Sequence, residues 1–152
     1  MPSFAKGGGV TTPFGPREYL RSTNPKPRFE SYTVAASTVP ARTIDGNPGQ
    51  KILQRGTVMA KITTGAEAGK IGPFQAEATD GRQTTANIVG LNDTFLPWQL
   101  IERDVEVAVA YDSVVAVQAW CIELNAAGAE IALSNTTADA MRGGKRGTIN
   151  FV

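Results

Sequence analysis

Three carboxylates alternate along the chain at Glu102, Asp104 and Glu106, and this spacing is the one most able to support metal chemistry. In a strand, alternate side chains point to the same face, so the three would lie side by side and repel one another. A solvated acidic face is the default interpretation. A weak divalent-cation site, or a contact with the basic segments of the chain, is the alternative.

Other residues that could do chemistry lack the partners that they would need. The chain has no histidine, which removes the commonest general base, the commonest metal ligand and every histidine-dependent triad. The glycines of residues 7–9 lack the Gly-Lys-Ser/Thr ending of a phosphate loop, and the Asp-Gly pair at 80–81 lacks the spaced carboxylates of a calcium loop. No spacing supports a pair of Ser113 with Lys61. We therefore predict no enzyme activity, no cofactor and no metal.

The first 45 residues differ in composition from the rest of the chain. They hold six of the nine prolines, five of the eleven aromatic residues and a net charge of 6 − 3 = +3. Proline opposes a packed core, whereas aromatic side chains favour burial. We therefore predict that residues 1–45 form an extended N-terminal arm that docks on another protein, and that residues 46–152 form a β-rich domain.

The aromatic, aliphatic and arginine side chains of this arm are its candidate docking residues. They are Phe14, Arg17, Tyr19, Leu20, Arg21, Arg28, Phe29, Tyr32 and Val34. Residues 29–34 are rich in strand formers, and two interpretations stay open for them. They would either add as a strand to a neighbour's sheet or form the first strand of the chain's own body.

Charge is distributed unevenly along the chain. Residues 46–141 carry six basic and eleven acidic side chains, a net charge of −5, whereas residues 142–152 carry +3. Basic ends can bind nucleic acid or an acidic protein surface. Because the arm has no dense run of lysine and arginine, we do not expect nucleic acid as the partner. No apolar run is long enough to span a membrane and no secretory signal is present, so we expect no membrane and synthesis in the cytoplasm.

From residue 56 onward the pattern is typical of short strands separated by turns. Predicted strands cover residues 57–62, 70–74, 84–91, 105–110, 114–124 and 148–152, and predicted turns lie at residues 45–49, 79–82 and 111–113. A single helical turn or a loop is expected at residues 97–103. A brief helix over 138–142 would be capped by Thr136 or Thr137 and end at Gly143. The sequence predicts a mainly β fold, with a small β-barrel or β-tulip-like body and one short helix.

Residues 114–124 are apolar on both faces of the predicted strand, apart from two polar side chains. Such a strand lies inside a barrel-like body or at a subunit contact. Val115, Val117 and Trp120 are the candidate contact residues, and core packing is the default interpretation of the tryptophan. The single cysteine, Cys121, is expected to be a buried thiol without a disulfide partner.

Residues 56–122 resemble a known family in the order of their features. A glycine-led strand at 56–62 is followed by Lys-Ile-Gly-Pro-Phe at 70–74, an Asp-Gly turn that leads into residues 84–91, and a valine-rich hairpin at 104–122. This order is similar to that of the lambda-type head decoration proteins, the capsid-stabilising family of tailed bacteriophages. The long basic arm and the extended C-terminal end depart from the family pattern.

This resemblance implies a structural protein of the virion. Members of the family sit as homotrimers on the outer surface of the expanded phage capsid and clamp neighbouring capsid subunits against internal DNA pressure. The implied partners are the major capsid protein and further copies of the chain, with synthesis in the host cytoplasm. Two alternatives stay open: another phage structural component, such as a tail or head-fibre base protein, and a small ligand- or nucleic-acid-binding β-barrel.

Overall fold

A computed structural model describes residues 16–143 and 147–152, and it is mainly β, as predicted. The strands are β1 (Leu20–Ser22), β2 (Arg28–Val34), β3 (Arg42–Ile44), β4 (Asn47–Gln50), β5 (Val58–Lys61), β6 (Ile71–Pro73), β7 (Ile88–Asn92), β8 (Val105–Asp112), β9 (Val114–Ala116), β10 (Ile122–Leu124), β11 (Glu130–Ala132) and β12 (Ile149–Phe151). One α-helix, α1 (Asn135–Arg142), lies within this described part. Single 3₁₀ turns cover Ala36–Thr38, Thr85–Asn87, Gln99–Ile101 and Gln118–Trp120. Among the described residues, no helix is long and apolar enough to cross a membrane.

Five strands pair in a closed ring, in the order β2, β6, β5, β7, β8 and back to β2. β2 pairs antiparallel with β8 along its whole length, but it pairs with β6 only at Val34 and Ile71. A second sheet has the order β1-β9-β12, and the hairpins β3–β4 and β10–β11 complete the described strands. β2 therefore closes the ring through a full-length pairing with β8 on one side and through a single residue pair with β6 on the other.

Alternation along the strands divides the apolar side chains between two clusters. In β5, Met59 belongs to one cluster and its neighbours Val58 and Ala60 to the other, as expected for side chains on opposite faces of a strand. The first cluster takes residues from all five ring strands and fills the ring. The second cluster packs the outer face of the ring against β9, α1 and β12.

β7 begins at Ile88, later than the predicted strand at 84–91, because the residues before it form a 3₁₀ turn. Gly90 then lets β7 approach β8 closely. Its φ is +145°, and a Cβ atom at this position would lie 2.2 Å from the carbonyl oxygen of Ala110. Only glycine adopts this backbone conformation readily and leaves that space empty.

The described part of the predicted arm is built into the body. Tyr19 and Val34 are fully buried, and β2 is a ring strand rather than a free segment. The prediction of an open arm is therefore wrong for residues 16–45, because they bury apolar side chains against the chain's own strands. Residues 1–15, with the predicted anchor Phe14, lie outside the described residues.

The predicted strand at 114–124 is interrupted. It divides into β9, the 3₁₀ turn Gln118–Trp120 and β10. Trp120 on this turn is 45% exposed, so its default interpretation as a core residue is wrong. The amide of Gln118 donates to the carbonyl oxygen of Val152 at 3.1 Å, which holds the turn against the chain after β12.

α1 begins earlier than predicted and ends where predicted, at Gly143. Ser134 is the N-cap, since its side-chain oxygen accepts a hydrogen bond from the Thr137 amide at 3.2 Å. Thr136 and Thr137, the predicted caps, lie inside the first turn. The buried carboxylate of Glu123 accepts the Ser134 amide at 2.6 Å and the Thr137 hydroxyl at 3.0 Å, so a negative charge lies at the positive end of the helix dipole.

Candidate functional site

Residues 16–33, which we call the N-terminal edge, contain two consecutive strands that are each paired on one side among the described residues. β1 pairs only with β9 there, and β2 before Val34 pairs only with β8. The Leu20 amide of β1 already donates to Glu18 Oε1 at 3.1 Å, so the candidate edge for strand addition is β2. An edge strand is a template for the addition of a strand from another protein.

Tyr19 fixes the start of the N-terminal edge to the body. Its hydroxyl donates to Asp93 Oδ1 at 2.8 Å, and the Arg55 guanidinium lies 5.3 Å from the centre of its ring. Arg55 also donates to Asp93 Oδ1 at 3.0 Å, so the three side chains form one network. Burial and the neighbouring Asp93 carboxylate raise the pKa of Tyr19, so its hydroxyl stays a proton donor.

Gly56 makes room for this anchor. A Cβ atom at Gly56 would lie 2.7 Å from the Cβ atom of Tyr19, and the φ of Gly56 is +85°. The carbonyl oxygen of Tyr19 accepts the Val117 amide at 2.9 Å, which continues the pairing of β1 with β9. The path of the N-terminal edge is therefore set by contacts with two distant parts of the chain.

The N-terminal edge is basic. Residues 16–33 carry four basic and two acidic side chains, a net charge of 4 − 2 = +2, in a chain whose total is +1. Arg17, Arg21 and Lys26 are exposed, and they form no ion pair with any residue that the structure describes. Exposed cations beside an edge strand favour a partner that carries carboxylates.

The predicted docking residues divide between core and surface. Tyr19 and Val34 are buried, Leu20 and Tyr32 are half-buried, and Arg17, Arg21, Arg28 and Phe29 are exposed. Phe29 is 41% exposed, which is unusual for a phenylalanine in a ring strand. Only the exposed group can contact a partner while the body stays folded, so the buried pair is withdrawn as docking residues.

The alternating carboxylates do not form a metal centre. Asp104 pairs with Lys70 and accepts the Ala36 amide at 2.8 Å, and these hydrogen bonds lower its pKa. Glu102 and Glu106 are exposed, as the solvated-face interpretation expects. No group of three or more potential metal ligands occurs within residues 16–143 and 147–152. Asp104 instead links Lys70 to the Ala36 amide, beside the single residue pair that joins β2 to β6.

An exposed apolar turn, which we call the tryptophan turn, covers residues 98–103. Trp98 and Ile101 are 49% and 47% exposed, whereas Leu100 between them is fully buried in the ring. The Arg103 guanidinium lies 5.9 Å from the centre of the Trp98 ring. A single helical turn or a loop was expected here, but an exposed apolar surface was not. The signal that could have revealed this surface is the position of Trp98 in a turn, where few neighbours can bury its ring.

A groove of about 230 Å³ lies between β7, β8, the end of α1 and β12. Its largest lining side chains are Ile88, Val89, Tyr111, Met141 and Ile149. Arg28 lies 5.9 Å from the centre of the Tyr111 ring and 3.5 Å from the Asp112 carboxylate, so a guanidinium stands near one wall of the groove. No local pattern could have revealed this groove, because three separate stretches of the chain, within 85–89, at 111 and within 140–149, line it.

No family model, no curated protein and no solved structure matches this chain. These comparisons therefore attach no ligand, partner or activity to the N-terminal edge, the tryptophan turn or the groove. The resemblance of residues 56–122 to phage decoration proteins stays a prediction.

Proposed function

We propose that the chain is a decoration protein of a tailed-phage head, which binds the outer surface of the expanded capsid and holds neighbouring subunits of the major capsid protein together. The observation that carries the proposal is the N-terminal edge. It places the edge strand β2 next to an exposed Phe29 and to three exposed cations that form no ion pair with a described residue. This combination fits a partner that offers an extended segment with carboxylates.

The N-terminal edge is ordered before any partner arrives. Ordering a free segment costs about 1–2 kcal/mol of backbone entropy per residue. Because Tyr19 is anchored by Asp93 and Arg55, the described edge does not carry this cost on binding. Main-chain hydrogen bonds along β2 would supply affinity, and Phe29 and the arginines would set the register.

Stabilisation of the shell follows from mass action. A protein that binds only the expanded lattice lowers the free energy of that state by about 2.7 kcal/mol per site when its free concentration is 100 times the Kd. Linking several copies in a homotrimer would make each later contact intramolecular and raise the total affinity. The protein would thus oppose the outward pressure of packaged DNA without any covalent step.

The direct test is co-sedimentation with expanded and unexpanded shells of the phage whose genome encodes the chain. We expect binding to expanded shells only, and at least about tenfold weaker binding for the double variant Arg21→Glu, Phe29→Ser, as for loss of a contact worth about 1.4 kcal/mol. Lys61→Glu with Ile131→Ser is the matched control, because it makes the same kinds of change at exposed positions outside the N-terminal edge.

Two results would reject this function. One is the absence of binding to expanded shells. The other is equal occupancy on expanded and unexpanded shells, since a protein with equal affinity for both states stabilises neither. Unchanged binding of the double variant would instead show that the capsid contact lies outside the N-terminal edge.

A further inference from the structure

The 3₁₀ turn Gln118–Trp120 exposes an apolar surface that the proposed capsid contact does not use, and we call it the Trp120 surface. The Trp120 side chain is 45% exposed, although tryptophan is highly buried on average. Val152, whose carbonyl oxygen accepts the Gln118 amide at 3.1 Å, is 64% exposed. Residues 117–122 carry no charged side chain. The Trp120 surface therefore suits an apolar segment with little charge.

The N-terminal edge begins beside the Trp120 surface. β1 runs antiparallel to β9, and the Tyr19 carbonyl oxygen accepts the Val117 amide at 2.9 Å. The chain before Tyr19 therefore heads in the direction in which the chain after Val117 leads to Trp120. A Cβ atom at Gly56 would lie 2.7 Å from the Cβ atom of Tyr19 and 3.4 Å from the carbonyl oxygen of Trp120. Tyr19 and Trp120 thus pack around the same glycine.

The charge of Arg17 acts on the residue that follows Trp120. Burial raises the pKa of the Cys121 thiol to about 12, and the positive charge of Arg17 opposes this increase. Charge interactions weaken with distance, so this effect places the Arg17 guanidinium in the neighbourhood of Cys121. Pro16, the first residue that the structure describes, directly precedes Arg17. The geometry and the charge therefore agree that the described chain begins near the Trp120 surface.

Residues 1–15, which lie outside the described residues, have a composition and a length that fit this surface. They contain the apolar residues Phe4, Val10 and Phe14 and one charged side chain. Phe14 is two residue steps before Pro16, which is at most about 7 Å of extended chain. Aromatic rings favour burial and pack on each other in offset or edge-to-face geometry. Phe14 is therefore the nearest large apolar side chain of this segment that can cover Trp120.

We propose that residues 1–15 dock on the Trp120 surface of their own copy, with the Phe14 ring packed against Trp120. The contact would continue the path of the N-terminal edge past β9. It assigns Phe14 to the body of its own chain, in place of the capsid contact that the sequence predicts for it. The contact needs no capsid, so it goes beyond the proposed function and leaves β2 available to a partner.

Acrylamide quenching of tryptophan fluorescence in the full chain tests this contact. The chain has two tryptophans, so Trp98→Phe leaves Trp120 as the reporter and Trp120→Phe leaves Trp98. We expect Phe14→Ser to raise the quenching constant of Trp120 at least about twofold, because the indole loses its aromatic cover. Phe4→Ser is the matched control, since it makes the same change further from Pro16, and it should raise the constant less. The quenching constant of Trp98 should stay unchanged in both variants.

Three results would overturn the proposal. The first is a quenching constant of Trp120 that is the same with and without Phe14→Ser, as expected if a foreign partner covers this surface. The second is an equal increase at Trp98, which would show that Phe14 affects the whole fold and not this surface. The third is protection of Trp120 that disappears on dilution of the protein, because the covering ring would then belong to another copy.

Discussion

The N-terminal edge and the groove offer a partner different groups. The edge presents the edge strand β2 with the exposed cations Arg17 and Arg21, whereas the groove presents apolar side chains such as Ile88 and Met141. A strand with carboxylates would suit the first surface, and an apolar group would suit the second. The two surfaces therefore differ in the chemistry that they offer to a partner.

The two surfaces also differ in how they are held. The N-terminal edge depends on one buried side chain, Tyr19, whose hydrogen-bond partner Asp93 is 74 residues away. The groove is lined instead by residues from strands and a helix that pack on one another, with Ile88 and Val89 of β7 facing Met141 of α1 and Ile149 of β12. Single substitutions should therefore damage one surface at a time.

Removal of the Tyr19 ring should have the largest effect. Tyr19→Ala deletes a fully buried aromatic side chain and should lower the free energy of unfolding by about 3–5 kcal/mol. Tyr19→Phe keeps the ring and loses only the hydrogen bond to Asp93, so we expect about 0.5–1.5 kcal/mol. Urea unfolding measures the loss of unfolding free energy in both variants. A loss below about 0.5 kcal/mol for the alanine variant, as at an ordinary surface position, would show that the anchor is absent.

The close contact between β7 and β8 at Gly90 should be the next most sensitive feature. Gly90→Ala combines an unfavourable φ with a Cβ atom 2.2 Å from the Ala110 carbonyl oxygen, and each effect costs about 1–3 kcal/mol. Gly65→Ala is the matched control, because its φ is +88° but no atom lies within 4 Å of the added Cβ. We expect the Gly90 variant to lose more stability than the control in thermal unfolding. Equal losses would mean that β7 and β8 are not in close contact.

Asp104 should make a smaller, pH-dependent contribution to the free energy of unfolding. Lys70 and the Ala36 amide hold its pKa below the ordinary value, so the carboxylate stabilises the fold above its unfolded pKa of about 3.9. That stability is lost as the pH falls through the lower folded pKa. Because the side chain is 32% exposed, the contribution should stay below about 1 kcal/mol.

Urea unfolding between neutral pH and pH about 3 checks this sign. The wild type should lose stability more steeply than Asp104→Asn below pH about 4, while Glu106→Gln, at an exposed position, should follow the wild type. Parallel curves for the wild type and Asp104→Asn would contradict the assignment of Asp104 to this network.

Local signals in the sequence predicted local structure well. The alternation at Val105, Val107 and Val109 is observed in β8, and the final strand and the helix end at Gly143 were also predicted. The strand interpretation of residues 29–34 as part of the chain's own body is confirmed by β2. In each case, adjacent residues carry the pattern that determines the element.

Long-range contacts account for what the sequence did not show. Tyr19 is buried because Gly56 and Asp93 provide its site, and neither is identifiable from the composition of residues 1–45. Trp120 is exposed because Gln118–Trp120 turns where an unbroken strand was predicted. Phe29 and the arginines are exposed, but their role in docking stays a prediction, and which strand lies at an edge beside them depends on which strands close the ring.

Hydrogen exchange of the N-terminal edge on and off the shell tests the central claim most directly. Amides of β2 that point away from β8 have no β partner within the described residues, so they should exchange readily in the free protein, whereas the Leu20 amide of β1 already donates to Glu18. On expanded shells, we expect strong protection of these β2 amides and little change in β10 and β11. Unchanged exchange along β2 in particles that carry the protein would contradict the proposed contact.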